Sequence, residues 1–244
     1  NYIKIMELIF PYIFEGIGSN NPTISRASIL CLDDIINCYG DKINNYLEKF
    51  LPLIMKKLSD NNIDENLKPY FFNVVSDLFV NCQKLDFKYF KDIWILIKQE
   101  MRKTEVNLPD DSDQDDINNL IDLREHIIEN LTCIIVALND LNKADEFTMH
   151  YYDILDYINK ITKNSSHNSL LILTQSLSLI ADLCRVNRPY ISYLLNKELN
   201  IDVESMIDKI EKDKIGGKDQ KILNELQWAK EIILETKKLN DLNG

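Results

Sequence analysis

Glycine and proline are scarce in this chain: its 244 residues include only six of each. Their combined share is well below the roughly 12% that is usual in soluble proteins. Because sheet proteins use both residues in their turns, the scarcity favours long helices. Apolar runs are short as well, and none approaches the roughly 20 residues of a membrane-spanning helix, so we expect no membrane insertion.

Basic residues are also in deficit. Lysine and arginine number 28 against 39 aspartates and glutamates, which gives a formal net charge of −11. Nucleic acids and anionic membranes both favour a basic surface, so the deficit argues against either as a partner. The hydrophobic share of 45% nevertheless indicates a folded protein, and the acidic surplus is the feature that needs an explanation.

Sequence patterns that carry catalysis or bind metals are missing. The three histidines are isolated, no C-x-x-C pair occurs, and neither a phosphate-binding loop nor a nucleophile elbow is present. We therefore predict a protein that is not an enzyme and has no cofactor, metal site or catalytic residue. An odd number of cysteines without a pairing pattern suggests buried free thiols in a reducing compartment. They are Cys31, Cys38, Cys82, Cys133 and Cys184.

Helical spacing is present along nearly the whole chain, where apolar residues recur at steps of three and four. In the segment 23–39 the repeating positions are Ile24, Ala27, Cys31, Ile35 and Cys38. Pro22 suits the first turn of this helix and Gly40 suits its end. No strand-like alternation persists between turn signals, so the chain is predicted to be all-α.

The helices also repeat as pairs. Asp34 and Asp77 lie 43 residues apart in similar apolar segments, each followed 12 residues later by a tyrosine, and Asp182 marks a third copy. A period of about 40–47 residues is typical of HEAT and armadillo repeats, whose stacked pairs form an α-solenoid. We predict a single HEAT-repeat solenoid over 1–244, a right-handed superhelix segment of about five to six antiparallel helix pairs.

An acidic insertion at 104–116 interrupts this period. It holds six acidic residues and no basic one. Such a run usually needs only water and is then an exposed loop. The alternative is a calcium loop, because Asp111, Asp113 and Asp115 fit its first three ligand positions. That alternative is weak, since Asp116 stands where the sharp turn requires glycine.

The helix after the insertion carries an acidic stripe. Its members recur at steps of three and four and are Asp115, Asn118, Asp122, Glu125 and Glu129. An ordinary amphipathic helix with a solvated face would show the same pattern. The like charges nevertheless repel one another, at a cost of roughly a few tenths of a kcal/mol per pair. In a solenoid the stripe would face the groove and attract a basic ligand, so both interpretations stay open.

Trp228 is unusually placed in the last predicted helix. The core stripe of that helix is Ile222, Leu226, Ala229 and Ile233. Trp228 lies about 120° around the helix from that stripe, beside Glu225, Glu231 and Glu235. An indole face next to carboxylates can hold a guanidinium by cation–π contact and ion pairing. The alternative is that Trp228 packs against the preceding helix through Ile232.

Four segments together resemble one known family. They are Leu67–Phe90, Leu123–Asp140, Leu179–Cys184 and Gln227–Ile232. Their motifs, among them Leu-Lys-Pro and Leu-Arg-Glu, are similar to those of the importin-β (karyopherin-β) family and follow in the same order. The resemblance covers essentially the whole chain. It implies the C-terminal HEAT-repeat part of a nuclear import receptor.

The resemblance implies a function in nuclear protein import. Receptors of this family hold the basic (IBB) segment of importin-α, or a basic cargo, on an acidic concave surface. By motif position Trp228 matches the family's groove tryptophan, and Asp122, Glu125 and Glu129 lie on the matching inner helix. The candidate residues for this partner are Trp228, Glu225, Glu231, Asp115, Asp122, Glu125 and Glu129.

Further partners follow from the resemblance alone. FG nucleoporins would bind between outer helices, where Leu51, Ile54, Phe90 and Trp94 lie on suitable segments, although the neighbours of Trp94 also fit a core position. Ran·GTP would bind mainly through N-terminal repeats that are absent here. The implied location is the cytoplasm and nucleus, including the nuclear envelope and pore. The alternative is a structural HEAT scaffold, phosphatase-type or from another karyopherin, without preference for basic peptides.

Overall fold

The computed structural model describes residues 2–82, 88–109, 111–163, 168–213 and 220–239. Within these ranges the regular secondary structure is helical and contains no strand, which confirms the all-α prediction. None of the helices in the described ranges is long and apolar enough to cross a membrane.

The α-helices follow one another with short connections. In chain order they are α1 (Tyr2–Gly18), α2 (Pro22–Tyr39), α3 (Leu47–Leu58), α4 (Lys68–Asn81), α5 (Lys88–Thr104), α6 (Gln114–Asp140), α7 (Ala144–Phe147), α8 (Tyr151–Lys163), α9 (Leu170–Val186), α10 (Arg188–Tyr193), α11 (Val203–Asp213) and α12 (Gln220–Lys238). Shorter helical turns lie between some of them, at Gly40–Tyr46, Glu65–Leu67, Thr148–His150 and Leu194–Glu198.

The chain divides into two compact units, residues 1–100 and 101–244. In the first unit α2 packs against both α1 and α4. In the second unit α9 packs against both α6 and α12. The number of repeated helix pairs, and their membership of one segment, stay predictions.

Local sequence signals set the ends of α2. The Asn21 side chain accepts a hydrogen bond from the Thr23 amide at 3.0 Å, and Pro22 opens the first turn. At the other end Gly40 has a φ of 50°, a conformation that residues with a side chain rarely adopt. The predicted start and stop of this helix are therefore confirmed.

Glycine also allows α1 and α2 to approach closely. A Cβ atom added to Gly16 of α1 would lie 1.9 Å from the Ser28 hydroxyl oxygen of α2. A side chain at this position would collide with Ser28, which would have to move. The contact explains one of the few glycines in the chain.

The buried face of α2 is not centred on the residues whose spacing predicted the helix. Ile29, Leu32 and Ile36 are fully buried, whereas Ile24 of the predicted stripe is 49% exposed. The spacing correctly predicted a helix, but it could not decide which side is buried, because α2 is apolar on two sides. The choice is made by the helices that pack against it, α1 and α4.

This difference also changes the prediction for the cysteines. Cys31 and Cys38 belong to the predicted stripe and are exposed, so the prediction of buried thiols is wrong for both. Cys82 and Cys184 are buried free thiols, as predicted, and Cys133 is half-buried. Burial raises the pKa of both buried thiols to about 11.

Candidate partner-binding surface

The acidic stripe begins at the first turn of α6. Asp113 is the N-cap of this helix: its side chain accepts a hydrogen bond from the Asp115 amide at 3.0 Å. Asp115 and Asp116 then lie in the first turn, where the helix dipole favours negative charge. The Asp113 side chain is thus engaged in capping the helix. In the described ranges no group of three or more acidic, histidine or cysteine side chains could hold a metal ion.

The stripe continues along one side of α6. Asp115 and Asp122 are exposed, and Glu125 and Glu129 are half-buried. None of these four carboxylates forms an ion pair with a basic side chain in the described part of the chain. The opposite side of α6 supplies the core through Leu123, Ile127, Leu131, Ile134 and Leu138.

Serine side chains of α9 contact two of the predicted carboxylates. Ser169, at the N-cap of α9, donates a hydrogen bond to Glu125 of α6. Ser178, two and a half turns further on, donates to Glu225 of α12 at 2.7 Å. The partners are separated by 44 and 47 residues, so each contact joins helices one repeat apart.

Trp228 lies half-buried on α12, while Leu226, Ala229 and Ile233 are buried, which agrees with the predicted helix faces. The side chain of Ile222 lies outside the described set. Glu231, one turn after Trp228, is exposed and accepts a hydrogen bond from Gln227 at 2.6 Å. The indole is therefore accessible, with carboxylates on the same helix.

A further carboxyl group lies close to Glu225. Burial raises the pKa of Asp182 on α9 to about 6, with Arg185 opposing the rise and Glu225 adding to it. A guanidinium nitrogen of Arg185 lies 3.9 Å from a carboxylate oxygen of Asp182. A cation placed beside Glu225 would also meet the field of this second acid.

Arg124 holds the connection between α5 and α6, which belongs to the acidic insertion. This residue of α6 is fully buried. Its guanidinium donates to the Thr104 carbonyl oxygen and to the Asn107 side chain, each at 2.9 Å. Glu105 is paired with Lys160 of α8 at 3.0 Å. Asp110 lies outside the described residues, and Asp111 is exposed.

Another group of polar side chains joins α2 to α4 in the first unit. Asn73 donates to Asp33 at 3.4 Å, Asn37 donates to Asp77, and Asn81 donates to Asn37 at 2.9 Å. Burial raises the pKa of Asp33 to about 7, and the nearby Asp77 carboxylate adds to the rise. Asp33 therefore keeps its proton to a higher pH than an ordinary aspartate does.

A buried ion pair lies elsewhere in the first unit. Lys68 and Glu100 are 2% and 3% exposed, and their charged atoms are 3.1 Å apart. Glu65 approaches the same ammonium at 2.7 Å. Although burial opposes the charge of Lys68, the two carboxylates raise its pKa above the usual value.

The apolar residues suggested for FG binding lie inside the first unit. Each is at least 95% buried; they are Leu51, Ile54, Phe90 and Trp94. Because their side chains are covered by other helices, they form core rather than an open pocket, and the core interpretation of Trp94 is confirmed. The helices that carry them do expose other apolar residues, such as Ile95 at 54%.

Sequence reasoning missed Arg124, Lys68 and the two serines. The position of Arg124 gave a signal, because it stands between residues of the core face of α6. Lys68 gave no such signal, because a lysine in the first turn of a predicted helix is ordinarily exposed. Serines at helix positions carry no comparable signal, since the pattern does not reveal which carboxylate will lie opposite.

A family model described as "Importin subunit beta-1-like, TPR repeats" matches residues 1–199. Among solved structures, a crystal structure of importin beta is 18% identical with a TM-score of 0.80, over 96% of this chain and 27% of that one. Yeast importin-beta (Kap95p) is 18% identical with a TM-score of 0.77, over 98% of this chain and 27% of that one.

Complexes are among the similar structures. Kap95 in a complex with Nup1 is 18% identical with a TM-score of 0.78, over 96% of this chain and 26% of that one. The chain thus spans about a quarter of the length of these structures. At such identities the likeness establishes the fold, and it confirms the predicted HEAT-repeat solenoid class.

Proposed function

Since the chain belongs to the importin subunit beta-1-like family, we propose that it is part of a nuclear transport receptor and binds a basic protein segment on its acidic surface. The segment would be the basic IBB segment of importin-α or a basic region of a cargo. The chain would then act in the cytoplasm, the nucleus and the nuclear pore. This function requires no catalysis.

One observation carries the proposal: the four carboxylates of the α6 stripe have no basic partner in the described ranges. Other acids do have one, such as Glu105 with Lys160 and Glu211 with Lys230. A row of unneutralised charges on one helix is unfavourable by itself and attracts cations. A partner rich in lysine and arginine would relieve that repulsion.

Trp228 adds an aromatic surface beside Glu225 and Glu231. A guanidinium stacked on an indole gains about 0.5–1 kcal/mol at an exposed site. Ion pairs at the surface add about 0.2–1 kcal/mol each, so the affinity would come from several modest contacts. Such binding is screened by salt.

The proposal is tested by charge reversal. Glu125→Lys/Glu129→Lys should abolish salt-sensitive binding of a basic peptide measured by calorimetry or fluorescence anisotropy. Asp145→Lys/Glu146→Lys is the matched control, because it changes two exposed acids by the same net charge. Equal loss in both pairs would show a general effect of charge, and no loss in either would remove α6 from the site.

A neutral peptide of equal length separates this proposal from the structural scaffold. A scaffold without basic specificity would bind both peptides alike. The receptor should bind only the basic peptide, and more weakly as salt rises.

FG nucleoporin binding is a second candidate, supported by the similarity to Kap95 in its complex with Nup1. Exposed Ile95 of α5 offers apolar surface for a phenylalanine ring, unlike its buried neighbour Trp94. Ile95→Asp should weaken binding of an FG-repeat peptide without changing binding of a basic peptide. Ran·GTP, which is expected to contact mainly repeats outside this chain, should bind it weakly.

A further inference from the structure

Helix α9 connects the two predicted halves of the basic-segment site. It packs against α6, which carries Glu125, and against α12, which carries Glu225. The two serines that reach these carboxylates lie nine residues apart on α9, about 13 Å along its axis. One helix therefore contacts an acid on each of these two helices.

We propose that Ser169 and Ser178 are positioning residues that orient Glu125 and Glu225 for a basic partner. The inference rests on the proposed binding of a basic segment to these acids. Each serine hydroxyl occupies one carboxylate oxygen, so the second oxygen of each acid remains to accept an ammonium or a guanidinium. The serines themselves do not touch the partner.

The physical gain is preorganisation. A glutamate side chain on a helix surface has several rotamers, and a partner that binds one of them must immobilise it. A serine hydrogen bond selects the rotamer before binding. The expected effect of losing one serine is an affinity about three- to tenfold lower, the range for freeing one such side chain.

The hydrogen bonds available to Ser178 support its role as a positioning residue. Its hydroxyl has one hydrogen, and two acceptors lie near it: Glu225 at 2.7 Å and the Thr174 carbonyl oxygen at 3.2 Å. The contact to the carboxylate is shorter and charge-assisted, so it is the favoured one. Ser178 is 8% exposed, which shields the bond from water.

Ser169 has a second role that the test must separate. Its hydroxyl oxygen accepts from the Ile172 amide at 3.0 Å and so caps α9, while its hydrogen goes to Glu125. Glycine is nearly as good a cap as serine but donates nothing from a side chain. Threonine retains both functions.

The experiment measures the dissociation constant of a lysine- and arginine-rich peptide for single and double variants, with thermal unfolding as the stability readout. Ser169→Gly and Ser178→Ala should each weaken binding about three- to tenfold, and Ser169→Thr should bind like the unaltered chain. In the Glu125→Gln background Ser169→Gly should add little further loss. In the Glu225→Gln background Ser178→Ala should add little.

Three outcomes overturn the inference, and the first two have different consequences for the proposed site. If the glutamine variants weaken binding but Ser169→Gly and Ser178→Ala do not, the serines are structural only and the proposed site stands. If the glutamine variants bind as tightly as the unaltered chain, the acids do not hold the peptide. The proposed function at these positions then fails together with the inference. Losses that add fully in the double variants also exclude positioning.

Discussion

Acidic side chains lie at the helix contacts of both units, but their hydrogen-bond partners differ. The contacts compared are those of α2 with α4 and of α9 with α6 and α12, which join helices one repeat apart. In the first unit Asp33 and Asp77 each accept a hydrogen bond from an asparagine, and burial raises the pKa of Asp33 to about 7. In the second unit Glu125 and Glu225 accept hydrogen bonds from serines. The first arrangement uses acids to connect helices, whereas the second leaves carboxylate oxygens for a partner.

The two units also bury a cation in different ways. Lys68 of the first unit is neutralised by carboxylates, whereas Arg124 of the second donates to a carbonyl oxygen and an amide oxygen. Arginine suits the second role because its planar fork can reach several acceptors at once. Lys68 thus contributes an ion pair to the interior of its unit, and Arg124 fixes the connection between α5 and α6.

The largest effect is expected for Lys68→Met. Removing the ammonium leaves Glu100 buried without it, and breaking a buried ion pair in this way costs about 3–5 kcal/mol of unfolding free energy. Chemical denaturation of the single variant measures this loss. The double variant Lys68→Met/Glu100→Gln should recover part of it, and full additivity of the two changes would contradict the pairing.

A somewhat smaller effect is expected for Arg124→Met. The buried Thr104 carbonyl oxygen loses its charged donor, which costs about 1–3 kcal/mol of unfolding free energy if water does not replace the guanidinium. Hydrogen exchange should become faster around 104–107, the segment that Arg124 holds. Arg102→Met removes an exposed arginine and serves as the control, with no change expected in that segment.

The pH dependence of stability should separate the two arrangements of acids. Asp33 has a raised pKa in the folded state, so between about pH 4 and pH 7 the folded chain holds a proton that the unfolded chain releases. Its contribution to stability is therefore full at low pH and is lost as the pH rises through about 7. Asp33→Asn should flatten this decline in denaturation midpoints, while the exposed Asp92→Asn should leave it unchanged.

The smallest effect is expected for Trp228→Ala on the binding of a basic peptide. Loss of one exposed cation–π contact costs about 0.5–1 kcal/mol, which is about two- to fivefold in affinity. Trp228→Phe should retain part of the contact, because a phenyl ring also attracts cations. An alanine variant that binds as tightly as the unaltered chain would remove Trp228 from the site.

Several features of the fold could be predicted because one sequence signal determined each of them. The ends of α2 follow from Pro22 and Gly40, and the amphipathic faces of α6 follow from its spacing. The buried side of α2 could not be predicted, since two of its sides are apolar and packing decides between them. Periodicity finds a helix face but cannot say what covers it.

In the candidate site, too, the features set by neighbouring residues in the sequence could be predicted, and those set by the packing of distant helices could not. The acids of α6 and the placement of Trp228 are local and were visible in the sequence. The serines that reach Glu125 and Glu225 lie 44 and 47 residues away, so only the packing of α9 reveals them. The burial of Phe90 and Trp94 is likewise decided by neighbouring helices.

Photochemical cross-linking tests the central claim most directly. A lysine- and arginine-rich peptide that carries a photoreactive group is bound to the chain at low salt, irradiated and mapped by mass spectrometry. The account predicts cross-links on α6 between 115 and 129 and on α12 between 225 and 231, lost at high salt. Cross-links confined to the first unit, or the same pattern with a neutral peptide, would contradict it.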